Sequence, residues 1–167
     1  MINVDQPPEI IHKVVNFIKN PQGYFLLSGT NGTGKTYLAK TIYEKLSHFK
    51  LPDFDDEESM FFTQANLNIK WNAQMTKYSD TTYFLNLLLK TKLLILDDLG
   101  TRTPSDPFMD FLYNVFDDRY NNKNIGTVIT TNLSSDDIKK KFGSAILSRI
   151  ASGINIRIDG KDRRKPS

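Results

Sequence analysis

The segment Gly29-Thr30-Asn31-Gly32-Thr33-Gly34-Lys35-Thr36 constrains this chain more than any other, because its order G-x-x-x-x-G-K-[ST] suits a loop closed around a phosphate chain. Its glycines let the backbone approach a triphosphate closely and turn N–H groups inward, at the positive end of a following helix. The flanks agree. Tyr24 to Ser28 is a short apolar run read as a buried strand. Leu38, Ala39, Ile42, Tyr43 and Leu46 recur at three- and four-residue steps, the spacing of one face of a helix that starts near Lys35. On this reading Gly29, Thr30, Asn31, Gly32, Thr33, Gly34, Lys35, Thr36 and the next residue Tyr37 bind ATP or ADP. Lys35 reaches the β- and γ-phosphates, and the Thr36 hydroxyl coordinates Mg²⁺.

Three further groups join this loop. Leu93-Leu94-Ile95-Leu96 is an uninterrupted apolar run ending in Asp97-Asp98, as expected of a central parallel strand covered on both faces. In an open parallel sheet, ligands sit beyond the carboxyl ends of the strands, so Asp97 faces Thr36 as a second metal-holding group. Asp98 then orients or polarises an attacking water. Asn132 closes the run Thr130-Thr131-Asn132, where an amide reaches the γ-phosphate or that water, although Asn is also a common turn residue. Arg149, just before the last expected strand, is either a surface arginine or a cation offered to a neighbouring subunit's ATP.

The rest of the chain reads as alternating helix and strand. A helix opened by Pro7 and Pro8 runs over about 9–19, followed by strands over 24–28, 60–65, 93–96, 126–132 and 154–158. Residues 66–90 read as mostly helical, trailed by a helix N-capped by Asp106 and another started by the pair Ser134 and Asp137. This alternation predicts a single domain over 1–167, an α/β three-layer sandwich on a five-stranded parallel sheet. Its margins are the N-terminal helix within 1–20 and a basic C-terminal tail over 158–167. With 167 residues, 39% of them hydrophobic, one well-buried core is expected. The absence of cysteine excludes disulfides and thiolate metal sites. His12 and His48 read as surface or edge residues, and the carboxylates Asp53, Asp55, Asp56, Glu57 and Glu58 as a solvated loop without the geometry of a metal site. No secretory signal opens the chain, and the apolar stretch 10–18 is too short to span a bilayer; the expectation is a cytoplasmic protein without membrane contact.

Together these segments make the chain similar to the P-loop NTPases of the AAA+ class, and within it to the bacterial helicase-loader and IstB-type group (DnaC-like and DnaI-like proteins). Gly29 to Thr36 resembles Walker A, Leu93 to Gly100 resembles Walker B, Thr131-Asn132 the first sensor and Ser148-Arg149 the arginine-finger position. The ending Asp159 to Lys165 is also similar to that group. The resemblance implies slow, Mg²⁺-dependent ATP hydrolysis, since Asp98 stands where many AAA+ proteins carry the longer Glu. It implies catalytic roles for Lys35, Asp98, Asn132 and Arg149, a sheet without the helical lid, and self-association with ATP. The implied partner is a replicative DNA helicase, with single-stranded DNA as a further ligand. Full loaders carry a separate N-terminal domain that grips the helicase, and the resemblance covers only the ATPase core, as in an excised domain or a naturally short version.

Other readings remain open at this level: a transposition helper ATPase of the IstB type, a small-molecule P-loop kinase, or a module using ATP as a structural ligand. Against the kinase, no arginine-rich lid segment lies between the strands. For DNA the candidates are Lys139, Lys140 and Lys141, the tail residues Lys161, Arg163, Arg164 and Lys165, and Trp71 near Lys70 and Lys77. The bland alternatives are a solvated helix end, a loose tail and a core tryptophan. The net charge of +3 permits nucleic-acid contact without arguing for it.

Overall fold

The computed structural model describes residues 6–48, 59–78 and 82–160. In chain order the elements are α1 (Pro8–Lys19), β1 (Gly23–Ser28), α2 (Lys35–His48), β2 (Ser59–Thr63), α3 (Gln64–Tyr78), α4 (Thr82–Lys90), β3 (Leu93–Leu99), α5 (Asp106–Asn121), β4 (Gly126–Thr131), α6 (Ser135–Ile150) and β5 (Ile154–Arg157). The five strands form one parallel sheet in the order β2-β3-β4-β1-β5. The apolar run of β3 is explained by this position, since alternate side chains enter opposite cores. Leu93 and Ile95 join Phe25, Leu27 and Val128 under α1 and α2, where Val14, Phe17, Leu38 and Ile42 close the layer. Leu94 and Leu96 join Leu26 and Ile129 under the other helices, through Leu67, Leu88, Phe108 and Ile146. The expected three-layer α/β sandwich is the observed one. Among the described residues no helix follows β5, and none is long and apolar enough to cross a membrane.

Several boundaries differ from the sequence expectation, each for a tertiary reason. The second strand ends at Thr63, and Gln64 opens α3 instead of extending the strand to 65, because its amide is bonded to Gly100 and Arg102 in the loop after β3. The helical stretch 66–90 is two helices, α3 and α4. Ser105, not Asp106, is the N-cap of α5, with Asp106 inside its first turn. The fourth strand ends at Thr131 and the fifth at Arg157. The start of α6 is as expected, with the Ser134 side chain accepting the Asp137 N–H. Its course is not: Gly143 breaks the helix with φ 87 and ψ 162, a conformation essentially reserved for glycine. His12 is exposed on α1. The side chain of His48, the acidic residues Asp53 to Glu58 and the tail residues Lys161 to Lys165 lie outside the described residues.

One buried cation ties the lower half of the molecule together. Arg119 on α5 is 1% exposed. It donates to the carbonyls of Leu88 and Thr91 at the end of α4, to the Gly126 carbonyl and to the Thr127 hydroxyl on β4, at 2.6–2.8 Å. Carbonyls at a helix C-terminus lack intrahelical donors and carry partial negative charge, so a guanidinium fork satisfies several of them at once. Burial lowers its pKa to about 10, which still leaves it charged at neutral pH. Beside it the Tyr24 hydroxyl donates to the Phe116 carbonyl at 2.6 Å, and burial raises its pKa well above the ordinary tyrosine value. Arg119→Met should therefore leave buried carbonyls without donors and cost about 2–4 kcal/mol. Thermal unfolding should fall by roughly 5–15 °C, and a fall below about 2 °C would refute this role.

Candidate nucleotide-binding site

The loop between β1 and α2 is held on its outside by the neighbouring strand. The Ile158 N–H donates to the Ser28 carbonyl at 2.8 Å, and Gly29 (φ 131) lies so close to the Ile158 carbonyl that a Cβ there would collide with it. Inside the loop the Thr33 hydroxyl donates to the Thr30 carbonyl at 2.9 Å. The Lys35 ammonium, 6% exposed, donates to the Gly29 and Thr30 carbonyls at 2.9 and 2.5 Å. These bonds fold the lysine back over its own loop. Helix α2 begins at Lys35 with no acidic residue in its first turn, so nothing on the helix itself offsets its positive end. Tyr37 stands 55% exposed on that first turn.

Opposite the loop, the carboxyl ends of β3 and β4 present the other expected groups. Asp97 is 4% exposed, and its Oδ1 accepts the Thr36 hydroxyl at 3.0 Å and the Thr130 hydroxyl at 2.6 Å. The strand register explains how one threonine serves both acids. Leu96 pairs with Ile129 and Leu99 with Thr131, so Asp97 and Asp98 together oppose Thr130 alone. Such a bulge frees an N–H from the ladder and re-aims side chains. The freed Asp98 N–H donates to the Thr130 hydroxyl oxygen at 2.8 Å. Asp98 itself has φ 61, the one positive φ among described non-glycine residues, a region that Asp tolerates better than most. Its carboxylate accepts the Asn132 side-chain N–H at 3.3 Å.

Thus Gly29 to Tyr37, Asp97, Asp98 and Asn132 converge at one end of the sheet, while Arg149 does not join them. Helix α6 starts beyond Asn132, is broken at Gly143, and ends with Arg149 just before β5. There Arg149 donates to Asp117 Oδ1 through Nε and Nη2, both at 2.6 Å, and its guanidinium lies 5.5 Å from the Tyr113 ring centre. The bond to Asp117 holds its pKa above the ordinary arginine value. Trp71 is 7% exposed and packs on Phe108 and Phe111, which is the core reading of this residue and not the base-stacking one. Lys139 and Lys140 are exposed on α6, but Lys141 is half-buried and donates to the Gly100 carbonyl, which splits the basic run. Sequence reasoning missed Thr130 and Gln64. A buried threonine in a strand carries no signal of its own, because β-branched residues are favoured there anyway.

The donor set fits magnesium triphosphate chemistry. A hydroxyl and a carboxylate oxygen are hard ligands, and Mg²⁺ commonly takes one or two protein oxygens while keeping water and phosphate ligands. A lysine and glycine-turned amides across from these oxygens complete a site for the phosphates.

Fold and site define an AAA+ P-loop nucleoside-triphosphate-binding protein. The chain belongs to the IstB-like ATP binding protein family, whose model matches residues 4–158. It is similar to the crystal structure of the DnaC helicase loader, with 26% identity and a TM-score of 0.73 over 92% of this chain and 89% of that one. DnaI matches at 21% identity and a TM-score of 0.70, over 95% of this chain and 87% of that one. AMPPCP-bound DnaA from Aquifex aeolicus matches at 17% identity and a TM-score of 0.76, over 95% of this chain but 48% of that one. At these last two identities the likeness speaks for the fold alone. A comparison with curated proteins gave no match.

The double role of Thr130 is directly testable. Thr130→Val should strand the Asp98 N–H, costing about 1–3 kcal/mol of stability, and should weaken Mg²⁺-dependent ATP binding. Thr130→Ser should restore both, as read by thermal unfolding and by calorimetry with and without Mg²⁺. A valine variant indistinguishable from the parent in both measurements would refute it.

Proposed function

We propose that this chain is a slowly hydrolysing AAA+ ATPase that helps place a replicative helicase on DNA, with ATP binding driving assembly of its subunits in the cytoplasm. The observation carrying this reading is the match to the DnaC helicase loader along nearly the whole of both chains, joined to an intact phosphate loop and acidic pair. In this mechanism the loop amides and Lys35 gather the β- and γ-phosphates. Thr36 and Asp97 hold Mg²⁺, which when bound offsets the charge developing on the phosphate oxygens. Asp98 accepts a hydrogen bond from the attacking water and is itself positioned by Asn132. An aspartate reaches less far than a glutamate at this point, which supports slow turnover and a switch-like use of ATP.

Arg149 supports assembly in trans. It lies at the far end of α6 from its own phosphate loop, so the nucleotide it could serve belongs to a neighbour. Leaving Asp117 for a γ-phosphate exchanges one carboxylate partner for a more highly charged one. Single-stranded DNA would be engaged through exposed lysines such as Lys139 and Lys140.

The family match favours a second reading, a transposition helper of the IstB type. Pull-down with purified replicative helicase, and separately with transposase and duplex DNA, in the presence of ATP or ADP, distinguishes the two. ATP-dependent helicase capture supports the loader; capture of transposase and duplex DNA alone overturns it. Lys35→Ala should abolish ATP binding and every ATP-dependent association. Arg149→Ala should keep ATP affinity within about 2-fold yet lose at least about 10-fold of assembly-stimulated hydrolysis. Equal hydrolysis by the Arg149→Ala variant and the parent would remove that residue from the mechanism.

A further inference from the structure

The guanidinium of Arg149 is held by its own chain in a way that engages most of its donors. Nε and Nη2 both donate to Asp117 Oδ1 at 2.6 Å. Nη1 donates to the Ala145 carbonyl at 3.3 Å, and Nη2 makes a longer bond of 3.5 Å to the Tyr113 hydroxyl. A guanidinium carries five N–H groups, so among the described residues four are engaged and one, on Nη1, remains. The Tyr113 and Tyr120 ring centres stand 5.5 and 5.9 Å from the guanidinium carbon, within the range of a cation–π contact.

Helical periodicity builds this cradle. Asp117 follows Tyr113 by four residues and precedes Tyr120 by three, so one stripe of α5 supplies the carboxylate and both rings. Ala145 and Arg149 are likewise one turn apart, in the half of α6 that follows the break at Gly143. Neither member of the pair is deeply buried, with 25% of the Arg149 side chain and 31% of the Asp117 side chain exposed. An ion pair this open is weaker than a buried one, and it can separate without leaving either charge cut off from water. The contact therefore holds the arginine without trapping it.

We propose that Asp117 is an internal competitor for Arg149, an autoinhibitory contact that opposes assembly until a neighbouring subunit's ATP displaces it. The inference rests on the trans role of Arg149 proposed above and names what regulates it. A guanidinium grips a phosphate with two N–H groups from one edge. The Nε–Nη2 edge is occupied by Asp117, and the Nη1–Nη2 edge is divided between Ala145 and Tyr113. Arg149 therefore cannot keep its own carboxylate and grip a γ-phosphate bidentately at once. The closed pair also carries no net charge, so it offers an approaching triphosphate little attraction. A terminal phosphate is more highly charged than one carboxylate and takes the arginine once two copies are close. Asp117 thus sets the protein concentration at which ATP draws subunits together.

Sedimentation velocity over a range of protein concentrations, with ATP and Mg²⁺, gives the midpoint of self-association for the parent, Asp117→Asn and Asp117→Ala. Each substitution is also made in an Arg149→Ala background, and thermal unfolding of the nucleotide-free proteins controls for folding. Alanine, the best helix former, keeps α5 intact should the asparagine variant unfold. Both Asp117 variants should assemble at a protein concentration about 3- to 10-fold lower than the parent. In the Arg149→Ala background the same substitutions should shift nothing, because the competitor has lost what it competes for. An unchanged midpoint overturns the proposal. A raised midpoint also overturns it, and would mean that Asp117 aims the arginine at its target. A shift that persists without Arg149 assigns the effect to the charge of α5 alone and overturns it as well. If neither the parent nor the Asp117 variants assemble with ATP, the assembly reading falls and the competitor with it, whereas assembly of the parent without a shift removes only the role of Asp117.

Discussion

The Asp97 carboxylate is the point at which three separate stretches of chain become one site. It accepts hydroxyl protons from Thr36 on α2 and from Thr130 on β4 while itself belonging to β3. A carboxylate this buried is tolerated only with its lone pairs occupied by good donors. The hydroxyls therefore satisfy a folding requirement and a chemical one together: they occupy the lone pairs of a buried carboxylate oxygen, and they hold that oxygen beside the end of the phosphate loop. The parallel sheet makes this possible, since the carboxyl ends of β1, β3 and β4 all open on the same edge.

The bulge after Leu96 extends that constraint to the second acid. A regular ladder would send the side chains of residues 97 and 98 to opposite faces. Doubling two residues against Thr130 turns the backbone at Asp98 into the left-handed region, where its carboxylate meets Asn132 beyond the sheet. The loop that follows is fastened on two sides. Gln64 accepts the Gly100 N–H and donates to the Arg102 carbonyl, while Lys141 donates to the Gly100 carbonyl. Any movement of Asp98 is thereby linked to the start of α3 on one side and to α6 on the other.

What could be read in advance follows from this distribution of causes. Local and periodic signals were legible: the glycine loop between an apolar strand and an amphipathic helix, and the double-faced burial of Leu93 to Leu96. So was Asp97, because its place in the chain alone puts it at the end of a central strand. Features made by contacts distant in sequence were not. Arg119 reads as an ordinary surface residue of a helix, since arginine is seldom fully buried; only the nearby carbonyls of Leu88, Thr91 and Gly126 account for its burial. Thr130 looks like any strand threonine until the register sets it opposite two acids. Gln64 becomes a helix start because a loop nearly forty residues later supplies its partners.

The same logic separates the two ends of α6. Its first half lies against the edge that carries the phosphate loop, following Asn132 and with Lys141 bonded to Gly100, and its last turn holds Arg149 against Asp117 at the opposite edge. Between them, Gly143 takes a backbone conformation open to glycine alone and would meet nothing within 4 Å if given a Cβ. It divides the helix into a half fixed to the loop after β3 and a half fixed to α5 by an ion pair and aromatic rings. A continuous helix would transmit a shift at Asp98 rigidly to Arg149. A helix broken at glycine leaves the half that carries Arg149 tied to α5 and the half that carries Lys141 tied to the loop after β3, so neither anchorage dictates the direction of the other.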